Sequence, residues 1–127
     1  MKIKLSSVYV EDQDKALDFY TNVLGFEKKT EIPMGEAKWL TVFSPEGHED
    51  VELVLEPNSL PVAKDYQKAL FEQGIPSAAF EVDDIAKEHA TLSMLGVQFK
   101  MEPTKMGDAT LAIFDDTCGN LIQIYQS

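Results

Sequence analysis

Apolar positions along the chain switch between a period of two and a period near 3.6, and this predicts a mixture of strands and helices. Residues 3–10 alternate loosely and predict a strand, while residues 16–24 carry apolar side chains at helical spacing. Asp12 or Asp14 is predicted to accept hydrogen bonds from the first N–H groups of that helix, and Gly25 to end it. Three further short stretches predict strands at 26–32, 38–43 and 51–55.

The order β-α-β-β-β then recurs in the second half of the chain. Val10-Glu11-Asp12 is matched by Val82-Asp83-Asp84, and Met34-Gly35-Glu36-Ala37 by Met106-Gly107-Asp108-Ala109, at an offset of 71 or 72 residues. Further matches at that offset pair the later strands, 40–43 with 111–114 and 51–53 with 122–124. Two similar units that each bury only one face are expected to pair.

The predicted fold is therefore α+β, with two βαβββ modules in tandem forming a half-open, barrel-like groove. The modules are expected at 1–57 and 76–127, joined by a connector at 58–75 that contains a helix with an apolar face. The segment 102–108, which contains Pro103 and Gly107, is expected to be a mobile loop beside the groove.

Length and charge narrow the class of protein. The chain of 127 residues suits one domain, and its net charge of −11 argues against nucleic acid or anionic membrane as a partner, while it permits a cationic ligand. Acidic surfaces also simply keep proteins soluble. A single cysteine and the lack of an apolar run resembling a signal peptide or a membrane span predict a cytoplasmic protein.

The period-two pattern of the strands selects the side chains that would face the groove. In the fourth strand the apolar residues Val51, Leu53 and Leu55 share one face, which leaves the intervening residues for the other. The same argument, with Trp39 as a stacking surface, gives ten candidate ligand-binding residues: Ser7, Tyr9, Trp39, Glu52, Val54, Glu56, Ser77, Glu81, Gln123 and Tyr125. The alternative is that they only face solvent, or that Trp39 packs in the core.

Two motifs carry a resemblance to a known group of proteins. The opening Val10-Glu11-Asp12 with Ala16-Leu17-Asp18-Phe19-Tyr20, and the closing segment from Asp116 through Gly119-Asn120 to Gln123, resemble the vicinal oxygen chelate superfamily. That superfamily includes glyoxalase I, extradiol dioxygenases and bleomycin-resistance proteins. The resemblance covers essentially the whole chain, and it implies the tandem βαβββ fold and a homodimer.

The resemblance also implies where a metal would be bound. The metal enzymes of the superfamily place ligands at four strand positions, which correspond here to Leu5, Glu52, Ser77 and Gln123. Because Leu5 has no donor atom and Ser77 offers only a neutral hydroxyl, we expect no metal and no other cofactor. The remaining candidates, His48, His89 and Cys118, are expected to have ordinary structural roles.

We therefore expect a protein that binds a small organic ligand, cationic ligands included, in a metal-poor groove. The alternative is a glyoxalase-like lyase or a dioxygenase-type enzyme, either metal-dependent or using Glu52 as a general base. In the metal-free enzyme Tyr9 or Tyr125 would donate a hydrogen bond to the developing oxyanion. The sequence leaves open whether any reaction is catalysed.

Overall fold

The structure is a computed structural model that describes all residues from Met1 to Ser127. Its two four-stranded mixed sheets have the strand orders β1-β4-β3-β2 and β5-β8-β7-β6. In each sheet the first pair is parallel and the others are antiparallel. The elements are β1 (Leu5–Val10), α1 (Gln13–Asp18), a π-helical segment (Phe19–Val23), β2 (Glu27–Met34), β3 (Ala37–Phe43), β4 (Glu52–Pro57), α2 (Pro61–Glu72), β5 (Ala78–Glu81), α3 (Ile85–Met94), β6 (Phe99–Met106), β7 (Ala109–Asp115) and β8 (Leu121–Gln126).

The α+β fold with two similar βαβββ modules is thereby confirmed. The chain divides into two compact units, Met1–Lys64 and Asp65–Ser127, and the division falls within α2. None of the helices combines the length and the apolar composition that crossing a bilayer would require.

The helix boundaries follow from the predicted caps. The carboxylate of Asp12, rather than that of Asp14, accepts from the backbone N–H groups of Asp14 and Lys15 at 3.0 and 3.1 Å. Asp84 caps α3 in the same way. Gly25 follows the first helix with a φ of +83°, a left-handed conformation that favours glycine.

The π-helical segment explains a one-residue difference between the repeats. The chain from Asp12 to Gly25 is one residue longer than the matching chain from Asp84 to Gly96. In the first unit the N–H of Leu24 donates to the carbonyl of Phe19, five residues back, at 3.1 Å. Such a wide turn holds one extra residue without breaking the helix.

A β-bulge restores the offset in the second unit. Strand β6 has two register shifts where β2 has one, and the additional shift lies between Met101 and Thr104. The predicted loop at 102–108 is therefore wrong, because β6 continues to Met106, paired with Ala109. Pro103 lies at the bulge, where its missing N–H breaks no ladder hydrogen bond.

The strand registers correct two of the repeat matches. Val42 lies opposite Leu53 in the first unit, as Phe114 lies opposite Ile122 in the second. The true offset is therefore 72 residues for β3 and β7 but 69 for β4 and β8, because the loop between the paired strands is three residues longer in the first unit. The match of 40–43 with 111–114 was wrong by one residue, which exchanges the faces of a strand. The match of 51–53 with 122–124 was wrong by two residues, which leaves the faces of the strand unchanged.

The core of the first unit lies between α1 with its π-helical extension and one face of the sheet. Burying these apolar side chains is the main contribution to the stability of the unit. They are Val8, Val10, Ala16, Phe19, Tyr20, Leu40, Val42 and Leu55. We call the opposite side of this sheet its helix-distal face.

Gln13 of α1 connects two strands at the point where their own pairing ends. The β3–β4 ladder pairs Thr41 with Val54 and does not continue to Lys38 and Leu55. There the Gln13 amide donates to the carbonyls of Lys38 and Leu55, both at 2.8 Å, and accepts from the N–H of Lys38 at 3.1 Å. One side chain thus satisfies three backbone groups that the ladder leaves unpaired.

Replacing Gln13 by Ala is expected to lower the free energy of unfolding by about 1–2 kcal/mol, because partly buried backbone groups would lose their partners. Urea denaturation followed by circular dichroism measures this change. Gln73→Ala, at an exposed position just beyond α2, is the matched control and should change it little. Equal stability of the two variants would show that the three hydrogen bonds contribute nothing.

Candidate functional site

The helix-distal face of the first sheet carries all six of the candidate ligand-binding residues that the sequence predicted in this unit. The register of β1, β3 and β4 and the alternation of side chains place nine residues on it. They are Leu5, Ser7, Tyr9, Trp39, Thr41, Phe43, Glu52, Val54 and Glu56. The predicted facing of Ser7, Tyr9, Glu52, Val54 and Glu56 agrees with this register.

Glu52 is a charged residue at one end of this face, where β4 begins. It lies between Leu5 of β1 and Phe43 of β3 in the sheet register, and its side chain is half-buried. The hydroxyl of Thr41 donates to its Oε1 atom at 2.7 Å. The short distance is typical of a hydrogen bond from a hydroxyl to a carboxylate, and such bonds are among the stronger ones.

Aromatic side chains lie on the same face, with Phe43 beside Glu52 in the register. Tyr9 lies beside Glu56 in the register and is 37% exposed, whereas Trp39 is half-buried. Phe43 is covered on one side by a cation, since the Lys29 ammonium lies 5.6 Å from its ring centroid. The face therefore combines flat apolar surface with two acidic groups, a combination suited to an organic molecule with a positive charge.

The second unit holds the other four nominated residues. Gln123 lies opposite Ala79, and Tyr125 lies opposite Glu81, so Glu81, Gln123 and Tyr125 share the side of the sheet that faces away from the core residues Ile122 and Ile124. Ser77 precedes β5, where its N–H donates to the carbonyl of Leu121. Its hydroxyl donates to Oδ1 of Asn120 at 3.1 Å, so it is part of a structural network.

That network fixes the turn before β8. The buried carboxylate of Asp116 accepts from the backbone N–H groups of Cys118 and Asn120 at 2.7 and 3.0 Å, and from the Asn120 amide at 2.9 Å. Gln67 of α2, also buried, donates to the carbonyl of Cys118 and to Oδ1 of Asn120, both at 3.1 Å. The motif that resembles the superfamily's closing segment thus forms a hydrogen-bond network that stabilises the turn before β8.

The donors at the four superfamily metal positions do not fit a divalent metal. Leu5, which lies directly beside Glu52, supplies no donor atom, and the Ser77 hydroxyl is directed to Asn120. Nowhere do three His, Cys, Asp or Glu side chains come together as a ligand set. His89 packs its ring 4.6 Å from that of Phe99. Zinc and related ions need three or four nitrogen, oxygen or sulfur ligands, and the residues at these four positions do not supply them.

An ion-pair cluster lies elsewhere on the first unit. The ammonium of Lys38 contacts the carboxylates of Asp14 and Glu31, each at 2.7 Å, and Lys28 contacts Glu31 at 2.9 Å. Hydrogen bonds from Lys38 and then Lys28 lower the pKa of Glu31 from its ordinary 4.5 to about 2. The same cluster, with Asp14 the largest cause, raises the pKa of Lys38.

This pKa shift predicts a pH dependence. Because the pKa of Glu31 is lower in the folded than in the unfolded protein, its ion pairs stabilise the fold above pH 4.5 and this contribution is lost as the pH falls towards 2. A carboxyl ¹³C NMR titration should show Glu31 with a midpoint near 2, and Lys38→Met should raise that midpoint towards 4.5. Lys15→Met, which removes an exposed lysine from α1, should leave it unchanged. A midpoint near 4.5 in the wild type would contradict the prediction.

Two of these hydrogen-bonding residues were not predicted from the sequence. Thr41 was not nominated, although a hydroxyl in the apolar run Leu40-Thr41-Val42 is a visible signal for a polar contact inside a sheet. Gln67 was also missed, because a glutamine on a helix is normally exposed and nothing local marks its contact with Cys118 and Asn120.

Comparison with known proteins identifies the family of this chain. The family model of the Glyoxalase/Bleomycin resistance protein/Dioxygenase superfamily matches residues 2–124. The protein YurT of Bacillus subtilis strain 168 is 56% identical over 126 residues, which cover 99% of each chain. YetH of the same strain is 38% identical over 116 residues, covering 91% of this chain and 89% of that protein.

Solved structures extend the similarity. The crystal structure of UcmS2 superposes with a TM-score of 0.86 at 30% identity and covers 100% of this chain and 98% of that one. TnmS3, an antibiotic binding protein from Streptomyces sp. CB03234, superposes with a TM-score of 0.78 at 28% identity and covers 99% of this chain and 95% of that one.

Proposed function

The chain belongs to the glyoxalase/bleomycin resistance protein/dioxygenase superfamily, and we propose that it is a binding protein for a small organic ligand with a flat apolar body and a positive charge. The observation that carries the proposal is the combination of Glu52, Trp39 and Tyr9 on the helix-distal face of the first sheet. The similarity to an antibiotic binding protein supports a binding role.

Charge supports a cationic ligand. The chain carries 22 acidic and 11 basic residues, so its long-range field attracts cations. Glu52 and Glu56 are half-buried, and half-buried carboxylates attract a cation more strongly than carboxylates in bulk water do. A ligand ammonium or amidinium group would lie against Glu52 while its flat body extended along the face towards Trp39.

The enzyme alternatives are less well supported. A metal-dependent lyase or dioxygenase would need donors that Leu5 and Ser77 do not supply. Use of Glu52 as a general base stays a hypothesis. Glu52→Gln tests it, because loss of a general base would abolish turnover. The homodimer and the cytoplasmic location expected from the sequence stay predictions.

Trp39 provides a direct test, because it is the only tryptophan. We would titrate the untagged protein at neutral pH with 9-aminoacridine, a flat aromatic cation, and with acridine, its neutral parent. The proposal predicts saturable quenching of Trp39 fluorescence and tighter binding of the cation. Trp39→Leu should weaken binding measured by calorimetry, whereas Tyr66→Leu, at an exposed aromatic residue of α2, should not.

Native mass spectrometry of the same preparation gives an independent readout. The expected mass is that of the polypeptide without a divalent metal, alone or with a bound organic molecule. A stoichiometric divalent metal would overturn the binding proposal in favour of metal chemistry. Saturation by neither acridine, together with no bound organic mass, would also overturn it.

A further inference from the structure

We infer that Thr41 is a positioning residue, which holds the Glu52 carboxylate in the orientation that recognises an N–H-bearing cation. The inference rests on the proposed function and names the chemistry of one ligand group, an ammonium or amidinium with hydrogens to donate. It is carried by the hydrogen bond between the two side chains and by a comparison of the two repeats.

The first argument is the cost of burying a hydroxyl. Thr41 is completely buried at the centre of β3, between apolar neighbours in the chain. A buried hydroxyl is destabilising unless it forms a hydrogen bond. The one that Thr41 forms is directed across the sheet to Oε1 of Glu52 at 2.7 Å, and not to a backbone group of its own strand.

The second argument is that the fold does not require a hydroxyl at this position. Thr41 lies opposite Val54 in the first sheet, and the position related to it by the repeat is Ile113, which lies opposite Gln123 in the second. An aliphatic β-branched side chain therefore fits this register of the same fold. Because packing is satisfied by Ile113 in one unit, the hydroxyl of Thr41 calls for a different explanation in the other.

Positioning of Glu52 is the explanation that the contact supports. A glutamate side chain has three rotatable bonds, and ordering it on binding costs free energy. The hydrogen bond to Oε1 fixes the carboxylate before the ligand arrives and leaves Oε2 as an acceptor. Such preorganisation raises affinity for a group that donates N–H to Oε2, and it does nothing for a neutral aromatic body.

The test compares Thr41→Val with Thr41→Ser, using 9-aminoacridine and acridine as probes. Thr41→Val keeps the shape of the side chain and removes the hydroxyl, so we expect about 3- to 10-fold weaker binding of 9-aminoacridine and unchanged binding of acridine. Thr41→Ser restores the hydroxyl and should restore affinity for the cation. Thr41→Val should melt close to the wild type, as the presence of Ile113 in the second unit predicts.

Each outcome has a distinct meaning. If the wild type binds the cation and Thr41→Val binds it equally well, Thr41 is not a positioning residue and the proposed function stands. Equal weakening for both probes, or no rescue by Thr41→Ser, would assign Thr41 a packing role and overturn the inference. If the wild type binds neither probe and carries no organic molecule, the proposed function fails and the inference fails with it.

Discussion

Replacing Glu52 by Gln is expected to lower the affinity for 9-aminoacridine by about 10- to 100-fold, while the affinity for acridine changes little. The substitution keeps the size of the side chain and removes its charge. A hydrogen bond to a charged group contributes about 1.5–3 kcal/mol. Each 1.4 kcal/mol corresponds to about a tenfold change in affinity, so losing such a bond gives the expected range. Isothermal titration calorimetry with both probes measures the difference.

A matched variant separates this local effect from the overall charge. Glu102→Gln removes the same charge from an exposed position on β6 and should leave both affinities near those of the wild type. Equal losses in the two variants would show that only long-range charge matters. A general base at Glu52 predicts a different result, since Gln would then abolish turnover and leave ligand affinity nearly intact.

Replacing Asp116 by Ala is expected to lower the free energy of unfolding by about 3–4 kcal/mol, the largest stability change we expect from a single substitution. The reason is that the backbone N–H groups of Cys118 and Asn120 and the amide of Asn120 would all lose their acceptor inside the protein. For a chain of this length the melting temperature should fall by about 10–15 °C, measurable by calorimetry.

Two further variants sharpen this prediction. Asp116→Asn keeps one acceptor oxygen but sets an amide against the amide of Asn120, so its stability should be intermediate. Asp83→Ala, at an exposed aspartate before α3, should change the unfolding free energy by less than about 0.5 kcal/mol. A loss below about 1 kcal/mol in Asp116→Ala would mean that the turn before β8 is held by other contacts.

The secondary structure was predictable because its signals are local. The N-caps at Asp12 and Asp84 and the helix ends at Gly25 and Gly96 depend only on residues within one turn of the chain. Strand β6 was cut short by the predicted loop at 102–108, because Pro103 suggests a loop when no partner strand is visible. Only pairing with β7 shows that the proline lies at a bulge.

The candidate site was predictable in its facing and not in its contacts. Alternation along β1 and β4 correctly placed Tyr9, Glu52 and Glu56 on one face, since the period of two is a property of each strand alone. The hydrogen bond from Thr41 to Glu52 joins two strands that a loop separates in the sequence. Its existence depends on the register of β3 against β4, which the sequence does not state.

By itself the sequence determined the repeat, the order of elements, the superfamily and the acidic, aromatic character of one sheet face, because local periodicity and capping carry that information. Tertiary structure decided the register. A π-helical turn changes the offset between the repeats from 72 to 71, a β-bulge restores 72, and a longer loop changes it to 69. Inserted residues are accommodated by backbone hydrogen bonding, which requires the partner strand or turn to be in place. The side chains that finally meet, Thr41 with Glu52 and Gln67 with Asn120, are therefore set by the folded chain.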